Sequence, residues 1–146
     1  MWAQTDVTST YLTNADFEGD YTVFVYPTAS GTNQRAIYQP TGWTPVRTGS
    51  DANDLSCLTS SDLQANNFNS YTMAYSGSKT YWTRLRWSTN TGLRLYQTAS
   101  SLIAGTYTLS ADMNFYDTSN SNSAVLYAGA TTKNATRRTS KNDSGW

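Results

Sequence analysis

Hydrophobic and polar residues alternate along several short stretches of this chain, as they do in β-strands with one buried face. The clearest alternation covers residues 106–116, directly after Gly105. Residues 21–26 are rich in aromatic and β-branched side chains, and Pro27 ends that stretch. Both segments are therefore predicted to be strands.

Three shorter strands complete the pattern, and helical periodicity is scarce. Residues 80–87 and 93–97 flank a polar turn at residues 88–92, and residues 124–128 follow a polar turn at residues 117–123. Residues 51–66 carry leucines at loosely helical spacing and are predicted to form a loop with one helical turn. Strands joined by short Gly, Ser and Asn turns indicate an all-β antiparallel sandwich or barrel. The length of 146 residues suits one domain spanning residues 1–146.

The alternation also assigns side chains to the inner and outer faces of the strands. Within residues 106–116, the set predicted to face the core is Tyr107, Leu109, Ala111, Met113 and Phe115. In the strands that flank residues 88–92, the inward set is Tyr81, Thr83, Leu85, Trp87, Leu93, Leu95 and Gln97. If these three strands are neighbours in one sheet, their outward side chains form one surface. This predicted outward surface consists of Trp82, Arg84, Arg86, Arg94, Tyr96, Asp112, Asn114 and Tyr116.

Such a surface has the chemistry to bind a sugar. Pyranose rings lay their C–H groups against an aromatic face, and their hydroxyls need Arg, Asp, Asn or Gln partners. The alternative is a solvated sheet face whose arginines pair with Asp112, since exposed pairs of this kind are common and contribute about 0–1 kcal/mol. A one-residue slip at a bulge would also bury Trp82 and expose Trp87 instead.

Composition excludes several classes of function. Ten basic and ten acidic residues give a net charge of zero, so no basic field attracts nucleic acid or an anionic membrane. No stretch approaches the ~18 consecutive apolar residues of a membrane-spanning helix. The single cysteine, Cys57, excludes an intrachain disulfide, so an extracellular location must rest on other features.

Catalytic residues are also scarce. The chain has no histidine, which removes the commonest general base and the usual partner of a cysteine nucleophile. Cys57 is therefore predicted to be a small, partly buried apolar residue. A glycosidase needs two carboxylates at a fixed separation, but Glu18 is the lone glutamate and Asp112 the lone aspartate inside a strong predicted strand. The sequence thus predicts a protein that is not an enzyme.

Three motifs together resemble the jelly-roll carbohydrate-binding modules with a galactose-binding-like fold, of the type found in Bacteroidetes. Residues 14–19 (NADFEG) are similar to their opening strand, and residues 40–44 (PTGWT) to the segment that follows a variable loop. Residues 97–110, which contain AGTYTLS, resemble their hairpin. The resemblance implies a two-sheet antiparallel jelly-roll β-sandwich. It also implies a secreted or cell-surface protein that binds poly- or oligosaccharide as an accessory module of a polysaccharide-degrading system.

The same resemblance gives expectations for individual residues. In many such modules the glutamate of the first motif holds a structural calcium ion, together with backbone carbonyls and an aspartate of the last strand, which makes Glu18 the candidate ligand. The alternative is that Glu18 is a surface charge, because one carboxylate makes a weak site. Phe17 and Trp43 are expected in the core, with Gly42 forming the turn before Trp43. Gly105 is expected to supply a positive φ to a tight hairpin.

One departure from the family pattern gives a rival hypothesis. The modules usually continue past an SGW segment into further strands, whereas this sequence ends at Trp146. The expectation is a sandwich whose C-terminal strands are missing, with an open edge that pairs with another chain. The alternative function is therefore a structural or assembly domain, such as a filament or surface subunit, completed by strand pairing with a neighbour.

Overall fold

The structure is a computed structural model that describes residues 4–27, 34–48, 55–66, 73, 77–84, 92–117 and 123–138. These residues are mostly β, as the alternation predicts. They form ten short strands, arranged as four antiparallel pairs and one parallel pair, and two short helices. The chain divides into two compact units, Met1–Leu102 and Ile103–Trp146.

The described residues of the first unit form six strands and two helices. In chain order they are α1 (Thr8–Tyr11), β1 (Tyr21–Pro27), β2 (Gln34–Pro40), β3 (Thr44–Thr48), β4 (Leu55–Cys57), α2 (Ser60–Ala65), β5 (Trp82–Arg84) and β6 (Gly92–Tyr96). The strands predicted at residues 21–26 and 93–97 are confirmed as β1 and β6, and β5 confirms part of the strand predicted at residues 80–87. The alternation did not predict β2, β3 or β4.

Strand pairing in the first unit differs from the predicted arrangement. β1 pairs with β2, β3 with β6 and β4 with β5, all antiparallel. The predicted outward surface depended on the condition that β5 and β6 are neighbours in one sheet, and the described strands do not meet it. Each of the two strands instead pairs with a strand from earlier in the chain, so non-local packing overrides the local turn signal.

A small hydrophobic core forms between β2, β4 and α2. Its buried residues are Ala36, Tyr38, Cys57, Leu58, Leu63 and Met73, and Phe17, Tyr21, Tyr81 and Trp82 pack against it while partly buried. The buried Ser56 hydroxyl accepts a 2.7 Å hydrogen bond from the Tyr38 backbone N–H, which joins β4 to β2 through a side chain. The core is thus assembled from strands that sequence alternation did not mark.

Helix α2 confirms the helical turn predicted within residues 51–66. Thr59 and Asp62 form a capping box at its start: the Thr59 hydroxyl accepts from the Asp62 N–H at 3.2 Å, and an Asp62 carboxylate oxygen accepts from the Thr59 N–H at 2.7 Å. The same carboxylate oxygen accepts from the Leu58 N–H at 3.0 Å. These bonds satisfy N–H groups at the helix start that would otherwise have no partner.

The second unit contains the four remaining strands. β7 (Phe115–Tyr116) pairs parallel with β10 (Arg137–Arg138), and β8 (Val125–Ala128) pairs antiparallel with β9 (Thr131–Asn134). β8 confirms the strand predicted at residues 124–128. Gly129, at φ +59°, makes the turn into β9.

The strongest predicted strand is largely absent from the second unit. Residues 106–114 belong to no strand, and the side chains of Tyr107 and Leu109, predicted to face the core, are each 44% exposed. No described strand pairs with this segment, and a strand needs a partner for its backbone ladder. Gly105 does not have the expected positive φ, because no hairpin forms there.

Candidate functional site

Strand β6 carries the part of the predicted outward surface that the structure brings together. Arg94 and Tyr96 are both exposed, two residues apart on one face of the strand. The Arg94 guanidinium carbon lies 5.1 Å from the Tyr96 ring centroid, within the range of a cation–π contact. An aromatic ring and a guanidinium group are therefore available side by side.

Trp82 and Arg84, on β5, do not join that surface. Trp82 is half-buried and packs against the core cluster, so its prediction as an outward-facing residue was wrong. Tyr81 precedes the first residue of β5, Trp82, so the two side chains need not point to opposite faces of the strand. The rings of Tyr81 and Trp82 both pack against the core. Arg84 is also half-buried. Arg86 and Trp87 lie outside the described residues.

The three remaining residues of the predicted outward surface are in the second unit. Asp112 and Asn114 are exposed on the segment that forms no strand, and Tyr116 is exposed on β7. β5, β6 and β7 lie in three different two-stranded sheets. Among the described strands, no single sheet therefore contains all of these residues.

Next to β6 lies a cavity that the sequence reasoning missed. It has a volume of about 320 Å³, close to the lower limit for small-ligand sites. Its lining residues are all uncharged: Ser9, Thr10, Tyr11, Leu12, Thr13, Gly42, Gln97, Thr98 and Ser100. The only sequence signal was the density of hydroxyl residues around positions 8–13 and 98–101, which is also common in ordinary loops.

Two contacts hold the wall of this cavity in place. The Gln97 side chain accepts a 2.8 Å hydrogen bond from the Thr13 N–H and donates a 2.5 Å hydrogen bond to the Thr13 carbonyl. Gly42 adopts φ +84°, and a Cβ there would lie 2.7 Å from the Thr13 Cβ. The expected turn at Gly42 is thus confirmed, and glycine is required for both its conformation and its close approach.

Packing between the aromatic rings of Phe17 and Trp43 supports the wall of this cavity. The Trp43 indole N–H donates to the Asn14 carbonyl at 2.8 Å, and the Phe17 and Trp43 ring centroids are 5.1 Å apart. Both rings are partly buried, which agrees with their expected core role. Because Gly42 precedes Trp43 directly, this packing fixes the turn that lines the cavity.

Glu18 occupies a different position, where it holds the segment that precedes β5. Its carboxylate accepts hydrogen bonds from the Ser78 N–H at 2.7 Å, from the Lys79 N–H at 2.9 Å and from the Ser78 hydroxyl. The Ser78 side-chain bond and then the Lys79 backbone bond lower the pKa of Glu18 below its usual value. The Lys79 ammonium donates to the backbone carbonyls of Glu18, at 2.9 Å, and Gly19, at 2.8 Å. We call this set of bonds the Glu18–Lys79 latch.

The residues present do not fit the calcium ion that the family resemblance implies. Calcium takes six to eight oxygen ligands, usually with several carboxylates. Among the described residues no group of three or more His, Cys, Asp or Glu side chains could hold a metal ion. The Glu18 carboxylate is engaged by Ser78 and Lys79, and the two neighbouring carbonyls already bind an ammonium group.

Cys57 has the surroundings of a structural residue. Its side chain is completely buried, and burial, followed by the nearby Asp62 carboxylate, raises the pKa of the thiol to about 12. The thiolate form required of a nucleophile is therefore suppressed. This agrees with the expected role as a small apolar residue.

In comparisons with known proteins, no family model, no curated protein sequence and no solved structure matched this chain. None of the helices in the described part of the chain has the length and apolar character needed to cross a lipid bilayer.

Proposed function

We propose that this chain is a non-catalytic, extracellular carbohydrate-binding module of jelly-roll type, which serves a polysaccharide-degrading system by binding poly- or oligosaccharide. The observation that carries the proposal is an uncharged, hydroxyl-rich cavity at the end of β6, the strand that carries the exposed Tyr96 ring. Tyr96 is followed in the chain by Gln97, which lines the cavity, and pairs across the sheet with Thr44, two residues after the lining residue Gly42.

The chemistry of this site suits a neutral sugar. Each hydroxyl group of a sugar can both donate and accept a hydrogen bond. The Thr, Ser, Tyr and Gln side chains that line the cavity can also do both. The exposed Tyr96 ring offers a face for sugar C–H groups, and the Arg94 guanidinium group lies beside that ring. The binding site we propose therefore consists of Tyr96, Gln97, Thr98 and the α1 side of the cavity.

Binding to a panel of soluble polysaccharides, measured by affinity electrophoresis and calorimetry, tests this proposal. Tyr96→Ala should weaken binding several-fold to about tenfold, because stacking on an aromatic ring contributes ~0.5–1.5 kcal/mol. Thr98→Val, which removes one cavity hydroxyl and keeps its shape, should weaken it as well. Tyr127→Ala is the matched control, because Tyr127 is also an exposed tyrosine but lies on β8 of the second unit.

Two results would refute the proposal. One is the absence of binding to any neutral or acidic glycan in the panel. The other is binding that Tyr96→Ala and Thr98→Val leave at the level of Tyr127→Ala, which would place the site elsewhere on the chain.

A second candidate function is self-assembly through the segment at residues 102–114. This segment alternates from residue 106 onward but forms no strand, and Leu102, Ile103 and Leu109 are exposed along it. Pairing with the same segment of a second copy would cover these apolar side chains and complete a backbone ladder. Light scattering over a range of protein concentrations tests it: Leu109→Asn should shift an oligomer toward monomer. A wild-type protein that is monomeric at every concentration would exclude this candidate.

A further inference from the structure

The Lys79 ammonium group is surrounded by groups of the kind that bind a small cation. Two backbone carbonyl oxygens, those of Glu18 and Gly19, accept from Nζ at 2.9 and 2.8 Å. The Nζ atom also lies 5.6 Å from the Tyr21 ring centroid, within cation–π range. The Glu18 carboxylate adds a favourable charge from the same residue. Carbonyls, a carboxylate and an aromatic face thus surround one positive charge.

We propose that Lys79 is the built-in cation of this site and takes the place of the structural calcium that the family resemblance implies, so that folding of the first unit requires no divalent ion. The proposal goes beyond carbohydrate binding and does not depend on it.

Local geometry favours an ammonium over a metal at this position. The Glu18 oxygens accept from backbone and hydroxyl donors of Ser78 and Lys79, which a bound Ca²⁺ would have to displace. The two carbonyls lie at N–H···O distances of 2.8–2.9 Å from Nζ, whereas calcium ligands lie at about 2.3–2.6 Å. An ammonium and a divalent ion cannot share the same carbonyls, because two positive charges at that separation repel strongly.

Gly77 and Gly19 allow the chain segments joined by the latch to approach each other closely. A Cβ at Gly77 would collide with the Glu18 carboxylate, and a Cβ at Gly19 would lie 2.9 Å from the Asn14 Oδ1 atom that accepts the Gly19 N–H. The latch connects residues about sixty positions apart, and the segment it holds leads directly into β5. Loss of the latch would therefore remove a connection between distant parts of the chain as well as an interaction between surface charges.

Thermal unfolding of four proteins, each with EDTA and with calcium, tests the proposal. The calcium concentration should be about 5 mM, above the dissociation constants of typical extracellular calcium modules. The wild-type Tm should be the same in both solutions, because an ion that does not bind the folded state does not stabilise it. Lys79→Met, which keeps the stem and removes the charge, should lower Tm by roughly 4 °C or more. Lys79→Arg should recover most of that loss.

Lys133→Met is the matched control, because Lys133 is an exposed lysine on β9 of the second unit, and its Tm should stay at the wild-type value. A wild-type Tm that rises with calcium, accompanied by calorimetric calcium binding that Glu18→Gln abolishes, would overturn the proposal. So would a Lys79→Met protein that melts with the wild type.

Discussion

The two units of this chain contain similar apolar residues but differ in how completely these are buried. In the first unit, Cys57 on β4, Leu63 on α2 and Leu58 between these two elements are almost wholly inaccessible to solvent. In the second unit, Ile103 is 74% exposed and Leu109 is 44% exposed although both lie in or next to the most regular alternation of the sequence. Alternation marks a segment that can bury one face, but burial requires a partner that the segment does not itself encode.

The largest test of this contrast is a matched pair of leucine truncations. Leu58→Ala should destabilise the protein by about 2–5 kcal/mol, because it removes a completely buried side chain and leaves a cavity. Leu109→Ala should cost less than about 1 kcal/mol, as expected of an exposed position. Urea denaturation followed by tryptophan fluorescence and circular dichroism measures both. Equal losses would show that the second unit buries Leu109 in solution and that the contrast between the units is wrong.

A smaller difference is expected between the two glycines of positive φ in the described part of the chain, Gly42 and Gly129. Gly129, at φ +59°, has open space where a Cβ would go, so Gly129→Ala should cost only the backbone strain of about 1–2 kcal/mol. Gly42→Ala should cost more, because its Cβ would also collide with Thr13. The same denaturation experiment gives the two values. If Gly129→Ala were the more damaging, the wall of the cavity next to Gly42 would be less rigid than its contacts indicate.

Sequence reasoning predicted the elements whose signals are local. β1 ends at Pro27, β6 follows a polar stretch of sequence, and α2 has its capping residues within four positions of one another. The mostly β character of the fold follows from these signals. Turn chemistry at Gly42 was also predictable, because glycine supplies the positive φ of a turn without a steric cost.

What the sequence did not predict depends on contacts between distant residues. β4 is only three residues long and carries no alternation that stands out, yet it pairs with β5 and places Ser56 against Tyr38. The cavity next to β6 exists because Gln97 reaches Thr13, 84 residues earlier in the chain. Of the eight residues on the predicted outward surface, Arg94 and Tyr96 lie side by side because both are on β6. Spacing along the chain carries no information about such encounters.

The smallest expected effect concerns pH and the Glu18–Lys79 latch of the first unit. Hydrogen bonds from Ser78 and Lys79 lower the pKa of Glu18 in the folded protein below the ordinary value of 4.5. The folded state therefore binds the Glu18 proton less readily than the unfolded state does, so this carboxylate stabilises the fold fully above that ordinary value. Its contribution is lost as the pH falls from there through the folded-state pKa.

Comparison with Glu18→Gln isolates this contribution from the other acids. The wild type should be the more stable protein near neutral pH, and its advantage should shrink as the pH falls below about 4.5, where the Glu18 carboxylate takes up its proton. Urea unfolding of both proteins, measured between about pH 7 and about pH 3, gives the difference in free energy at each pH. An advantage that stayed constant down to the lowest pH would mean that Glu18 stabilises the first unit through packing rather than through its charge. In that event the charge of Glu18 in the latch would stabilise the fold no more than the charge of a solvated side chain in the second unit does.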